Sequence, residues 1–184
     1  MRCDWIDHYI GEEGPISSSL TTVEISLLVQ LATGKEVLEI GTAYGFATAR
    51  MAAKAYSVTT IDPHAGYGSL PASLPEAQRL LRNLGLTGKV TLIIGLSQEV
   101  LPRLCGQGMG FDLVFVDGDH RLQTVREDLY YGWLLTRSGG VLAVHDYNED
   151  TCPDVAVAVE WFKAKYVSLL HSSLVDTLWL VKRP

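Results

Sequence analysis

Two short runs hold most of the side chains in this chain that could do chemistry together: Asp117-Gly118-Asp119-His120 and His145-Asp146-Tyr147-Asn148. Each follows an apolar stretch, Val114-Phe115-Val116 and Gly140-Val141-Leu142-Ala143-Val144, and so reads as the carboxyl end of a buried strand. If the two strands are neighbours in a doubly wound sheet, their carboxyl ends open into one crevice. Asp117 and Asp146 could then share a hard divalent cation, because Mg²⁺ prefers carboxylate oxygens and water. His145 or Asn148 would complete the shell, and His145 suits a softer metal better than Mg²⁺. His120, three residues past Asp117, is placed to act as a general base on a hydroxyl held there. Plainer roles compete with these. Asp119 is a good cap for a helix starting near Arg121, His120 could be a first-turn residue, and Asp117 could contact a cofactor instead of a metal.

A third run adds a binding function. Glu36-Val37-Leu38-Glu39-Ile40-Gly41-Thr42-Ala43-Tyr44-Gly45 reads as a buried strand, a glycine turn and a helix starting near Phe46. Gly41 and Gly45 would let the loop backbone, with Thr42, Ala43 and Tyr44 between them, approach a ligand closely. The spacing is not the Gly-x-Gly-x-x-Gly of dinucleotide binders. Glu39 at the strand end would repel a pyrophosphate and favours a ligand with a cationic part. Asp62, in Val58-Thr59-Thr60-Ile61-Asp62-Pro63, ends the next strand, where an acid can accept from both ribose hydroxyls. It would do the same for NAD, and Asp62-Pro63 is also a turn signal.

Positioning these groups requires an alternating α/β chain. Strands are expected at 37–40, 57–61, 89–95, 111–116 and 140–145, with helices at 45–54, 74–85, 97–104, 121–135 and 154–166. Thr21 and Glu24 have capping-box spacing, and Ile25, Leu28, Val29 and Leu31 then form one apolar helical face. The tail breaks the alternation: Tyr166–Leu170 and Leu174–Val181 read as two strands joined by a turn too short for anything but antiparallel pairing. The fold expected is a Rossmann-like doubly wound α/β sheet, mostly parallel and seven-stranded, with an antiparallel C-terminal hairpin. Residues 1–184 read as one domain, with 1–35 a helical segment packed on it.

Composition narrows the function classes. The chain has 184 residues, 47% hydrophobic and 20% charged, which argues for a packed core and against disorder. Its net charge is −6 and it lacks a basic run, so nucleic acid is not an expected partner. Cys3, Cys105 and Cys152 are odd in number and widely spaced, as free thiols in a reducing compartment would be. The opening MRCDWIDHYI is charged where a signal peptide is apolar, and no stretch approaches the ~18–20 apolar residues of a membrane span. A cytoplasmic protein with no membrane partner is the expectation.

The blocks VLEIGTAYGFAT, TTIDPHAG, FDLVFVDGDHRLQTVREDL and GGVLAVHDYNE together resemble the class I S-adenosylmethionine-dependent methyltransferases. Within that class they resemble methyltransferase family 24, related to macrolide-sugar and cephalosporin-type O-methyltransferases. The resemblance implies S-adenosylmethionine as cofactor, adenine beside Leu96 and Ser97, and Mg²⁺ or another divalent cation on Asp117 and Asp146. Ser97 is equally a plausible helix cap. Sugar-type relatives have a second acid where this chain has His145, and a histidine, the proposed base, where it has His120. Catechol-type relatives carry lysine at that last position. The implied activity is O-methylation of a sugar or other small natural-product hydroxyl. A non-catalytic cofactor-binding subunit and an NAD-dependent oxidoreductase remain the alternatives. Residues 63–74 are the candidate lid, and Trp5, Tyr67, Tyr147 and Trp161 are candidate walls for the acceptor. A homo-oligomer could close what the short chain leaves open.

Overall fold

A computed structural model describes residues 6–8, 16–66, 72–167 and 170–184, with the backbone alone at 6–8, 16 and 17. In chain order the elements are β1 (Ile6–His8), β2 (Ile16–Ser18), α1 (Thr22–Ala32), β3 (Glu36–Ile40), α2 (Phe46–Ala52), β4 (Ser57–Asp62), α3 (Leu74–Asn83), β5 (Val90–Ile94), α4 (Ser97–Gly106), β6 (Phe111–Val116), α5 (Leu122–Leu135), β7 (Thr136–Val144), α6 (Pro153–Phe162), β8 (Ser172–Val175) and β9 (Leu178–Lys182). Seven strands form one sheet in the order β5-β4-β3-β6-β7-β9-β8. The pairs from β5 through β7 are parallel, and β9 runs antiparallel to both β7 and β8. This is the expected mostly parallel sheet with an antiparallel C-terminal hairpin.

The chain leaves β3 in one direction to build β4 and β5 and returns to its other side for β6 and β7. The switch point therefore lies between β3 and β6, where a ligand crevice opens. Strands that are buried on both faces explain the continuous apolar runs. One packed layer joins Leu38, Val114, Leu142, Leu129, Val159 and Trp179; the other joins Leu28, Val37, Met51, Leu80, Phe115 and Leu180.

Three local expectations are corrected. Tyr166–Leu170 is not a strand: α6 runs on into a π-helical turn at Lys163–Val167, and 168–169 lie outside the described residues. The five-residue step from Phe162 to Val167 matches a π turn and keeps both side chains in the core, where Tyr166 also meets the Phe162 ring at 5.2 Å. Leu174–Val181 is not one strand but both arms of the hairpin, split at Asp176-Thr177, with Asp176 at φ 51°. Aspartate tolerates this left-handed conformation better than most residues. Finally, the segment before β3 is not only helical, because β1 and β2 pair as a separate antiparallel ribbon. Three-residue strands are too short for alternation to reveal them.

The strand expected at 140–145 begins earlier, at Thr136, directly after α5, and skips register against β6 between Phe111 and Leu113. Among the described residues no helix is long and apolar enough to cross a membrane.

Candidate active site

The parallel register aligns the ends of three adjacent strands. Ile40 is opposite Val116, and Val116 opposite Val144. The ladder continues one residue further, with Asp117 N donating to Ile40 O (2.8 Å) and His145 N to Val116 O (3.0 Å). Gly41, Asp117 and His145 therefore sit side by side at the mouth of the crevice.

Gly41 is required by this closeness. It has φ 99°, and a Cβ there would lie 2.1 Å from the Asp117 carbonyl oxygen. Gly45, at φ 85°, precedes α2, and Ala43 holds φ 45° without a glycine's freedom. Asp62 holds that loop in place. Its Oδ2 accepts from Thr42 N (2.9 Å) and Ala43 N (2.8 Å), and its Oδ1 accepts from His64 N (2.6 Å). The Thr42 and Thr60 hydroxyls share a buried hydrogen bond of 2.6 Å. Asp62 keeps 16% of its side chain exposed.

Ile94, opposite Asp62 at the end of β5, is 59% exposed, and Leu96, two residues on, is 47% exposed, so apolar surface lies near the acid. Pro63 follows Asp62 directly. Leu96, not Ser97, is the N-cap of α4, and Ser97 is its first helical residue. Residues 67–71 of the candidate lid, with Tyr67, lie outside the described residues, as do Trp5 and Cys3. The lid's flanks are tied by a 2.9 Å bond between His64 Nδ1 and Ser73 Oγ.

Glu39 is fully buried and accepts from the Thr48 hydroxyl of α2, offering no surface to a ligand. Burial, against the opposing Thr48 and Thr60 hydroxyls, pushes its carboxyl up to about 8. Its Oε1 has no hydrogen-bond partner among the described residues, which fits a neutral acid rather than an exposed anion.

The chemistry-bearing residues converge. His145 Nδ1 lies 3.1 Å from Asp117 Oδ1 and 3.2 Å from Asp146 Oδ1. His120 Nε2 lies 2.8 Å from Asp146 Oδ2. Asp146 takes φ 60°, a left-handed conformation that aims its carboxylate at both histidines. These residues line a small pocket together with Gly118 and Asp119. His120 is the most open of them, at 30% side-chain exposure. Asn148 is exposed, and Asp119 Oδ1 caps the turn before α5 by accepting from Arg121 N (3.0 Å). Trp161 packs instead in a groove with Gln98, Tyr130 and Tyr131.

Electrostatics follow from this crowding. Burial raises the Asp117 carboxyl above its ordinary range, although His145 opposes it. Burial also opposes ionisation of Asp146, but hydrogen bonds from His120 and His145 outweigh it and hold that carboxyl well below the usual range. The Asp146 hydrogen bond raises His120. Burial would lower His145, yet Asp117, Asp146 and Glu24 lift it well above its ordinary value.

Two neighbours were not foreseen. Glu24, expected only as half of a capping box, makes that box with Thr21 and also reaches His145 Nε2 at 3.3 Å. Cys152, expected only as a free thiol, brings its sulfur within 4.8 Å of donor atoms on His120 and Asp146. Neither has a local signal, because both contacts are made by the fold.

Three residues suit a divalent cation: Asp117, His145 and Asp146 each offer one donor atom, all within 4.8 Å of one another. Ligands at ~2.1 Å from one ion and at right angles lie ~3 Å apart, close to the two spacings seen here. The donor set fits.

With the fold and site in view, the chain belongs to the methyltransferase domain family, whose model matches residues 38–147. It is 33% identical over 127 residues to a catechol O-methyltransferase of Niastella koreensis, covering 66% of this chain and 53% of that one. The chain thus spans about half the length of that curated relative. Its fold is that of the Bacillus cereus O-methyltransferase in complex with SAH (TM-score 0.70, 18% identity, 89% of this chain and 82% of that one). It is likewise that of the O-methyltransferase TomG from Streptomyces achromogenes, involved in tomaymycin synthesis and solved with SAM (TM-score 0.68, 20% identity, 90% and 82%).

Proposed function

We propose that the chain transfers a methyl group from S-adenosylmethionine to a hydroxyl of a small natural-product acceptor, with help from a divalent cation. The observation that carries this is the pairing of Asp146 with His120 on one side and with His145 and Asp117 on the other, beside the glycine-loop crevice. When bound, S-adenosylmethionine supplies an activated methyl, and the cation supplies Lewis acidity that favours loss of a hydroxyl proton.

The chain's own residues do the rest. Asp62 would accept from the ribose hydroxyls while still holding the Thr42 and Ala43 amides. Leu96 and Ser97 would border the adenine, and the backbone from Gly41 to Gly45 would run close to the amino-acid end of the cofactor. Asp117, His145 and Asp146 would hold the cation. Asp146 engages His120 Nε2, which leaves Nδ1 as the basic nitrogen to take the acceptor's proton. A positioned base of this kind contributes ~10²–10⁴-fold.

A sugar-type hydroxyl is the preferred acceptor, because His120 stands where catechol-type relatives, by the resemblance above, carry lysine. A catechol is the second reading, supported by the name of the Niastella koreensis relative. Transfer of labelled methyl to sugar and catechol acceptors, with and without chelator, separates the two. In whichever succeeds, His120→Ala should lower kcat by about 10²–10⁴-fold and leave S-adenosylhomocysteine affinity unchanged. Undiminished kcat would remove His120 from the chemistry.

A further inference from the structure

Glu24 is the most heavily engaged carboxylate around this site, although it comes from the helix ahead of the sheet. It is fully buried. Its Oε1 accepts from Thr177 N and Thr177 Oγ1, both at 2.8 Å, in the turn between β8 and β9. Its Oε2 accepts from Thr21 N at 2.8 Å and lies 3.3 Å from His145 Nε2. An anion fixed on one nitrogen of a buried imidazole determines which way the other nitrogen faces. Here that other nitrogen, Nδ1, is the atom 3.1 and 3.2 Å from the two aspartates.

We infer that Glu24 is a positioning residue for a divalent-cation centre containing nitrogen: it holds His145 by Nε2 so that Nδ1, with Asp117 and Asp146, favours Co²⁺ or Zn²⁺ over Mg²⁺. Histidine ligands commonly give their second ring N–H to a carboxylate, which fixes the tautomer and makes the ligand more basic. Imidazole suits Zn²⁺ and its neighbours, whereas Mg²⁺ prefers an all-oxygen shell. The Cys152 thiol near the other side of Asp146 gives the surroundings the same softer character. The inference rests on the metal-assisted reading above and adds which ion is preferred and which distant residue sets that preference.

The test is calorimetric titration of chelator-treated protein with Co²⁺ and, separately, Mg²⁺, with the visible spectrum of the Co²⁺ form recorded alongside. Wild type should bind Co²⁺ at least about a hundredfold more tightly than Mg²⁺, with a spectrum showing a nitrogen ligand. His145→Asp should shrink that ratio at least about tenfold by losing Co²⁺ affinity, and should change the spectrum. Glu24→Gln should weaken Co²⁺ binding about 10–100-fold. Thr177→Val loses only the hydroxyl bond to that carboxylate and keeps the backbone N–H bond, so it should lower Tm and cost less Co²⁺ affinity than Glu24→Gln does. S-Adenosylhomocysteine binding, measured in each variant, reports whether the cofactor site persists.

An unchanged Co²⁺-to-Mg²⁺ ratio in His145→Asp, or wild-type Co²⁺ affinity in folded Glu24→Gln, would overturn the inference. Mg²⁺ binding without Co²⁺ preference would overturn it while sparing the metal-assisted reading. No binding of either ion at millimolar concentration would defeat both.

Discussion

Asp62 works for the protein before it works for any ligand. Its two oxygens accept three backbone N–H groups, two of them from the glycine loop. Charged hydrogen bonds of this kind contribute ~1.5–3 kcal/mol each. Asp62→Ala should therefore weaken S-adenosylhomocysteine binding by roughly ten- to a hundredfold or more, as read by calorimetry, by releasing Thr42 and Ala43 as well as by losing the proposed ribose contact. Affinity within twofold of wild type would remove Asp62 from the site. A second residue makes a prediction about pH. Asp128 on α5 is fully buried, and Ser97 lies beside its carboxylate without making a bond of good geometry. Burial raises Asp128 from 3.8 to about 7. The unfolded chain thus releases this proton first, and stability falls as pH rises from about 4 to about 7. Asp128→Asn should be more stable than wild type at pH 8, on the order of 2–4 kcal/mol, with the gap closing towards pH 4. Urea melts at the two pH values measure this, and a gap independent of pH would contradict it. At this scale the sequence is readable where an acid interrupts an apolar run, as Asp62, Asp117 and Asp146 do. It is silent on the contact between Glu24 and His145, which are 121 positions apart and meet only after folding.

The loop between β3 and α2 has little freedom. A Cβ on Gly41 would have to displace the Asp117 backbone, and φ 99° is a conformation that L side chains rarely adopt. Gly41→Ala should cost more than the ~1–3 kcal/mol of local strain alone and should move the Asp117 side chain. The expected result is a lower Tm together with loss of S-adenosylhomocysteine binding; unchanged values for both would refute the close approach. Parallel strands were legible because they are apolar on both faces and bounded by turn residues. The C-terminal elements were less so. Tyr166 and Val167 have strand-forming character, but packing against Phe162 draws them into a π turn. Asp176-Thr177 divides what reads as one apolar run, and only its left-handed backbone reveals the turn.

At the scale of the molecule, function depends on which strands are neighbours. Because β6 lies between β3 and β7, the glycine loop after β3, Asp117 and the His145-Asp146 pair share one edge of the sheet. Helix α1 and the C-terminal hairpin then meet behind that edge. Thr21 Oγ1 donates to Asp176 Oδ2 at 2.7 Å and Thr177 donates to Glu24, so α1 is clasped to the β8–β9 turn directly behind His145. The antiparallel hairpin is therefore part of the site's support as well as the end of the sheet. The proposed activity requires that the crevice beside Gly41 and Asp62 take S-adenosylmethionine. The most direct measurement is calorimetric titration of the purified chain with S-adenosylhomocysteine. The structure predicts saturable binding at one site per chain. No heat of binding from protein shown to be folded would contradict the methyltransferase account.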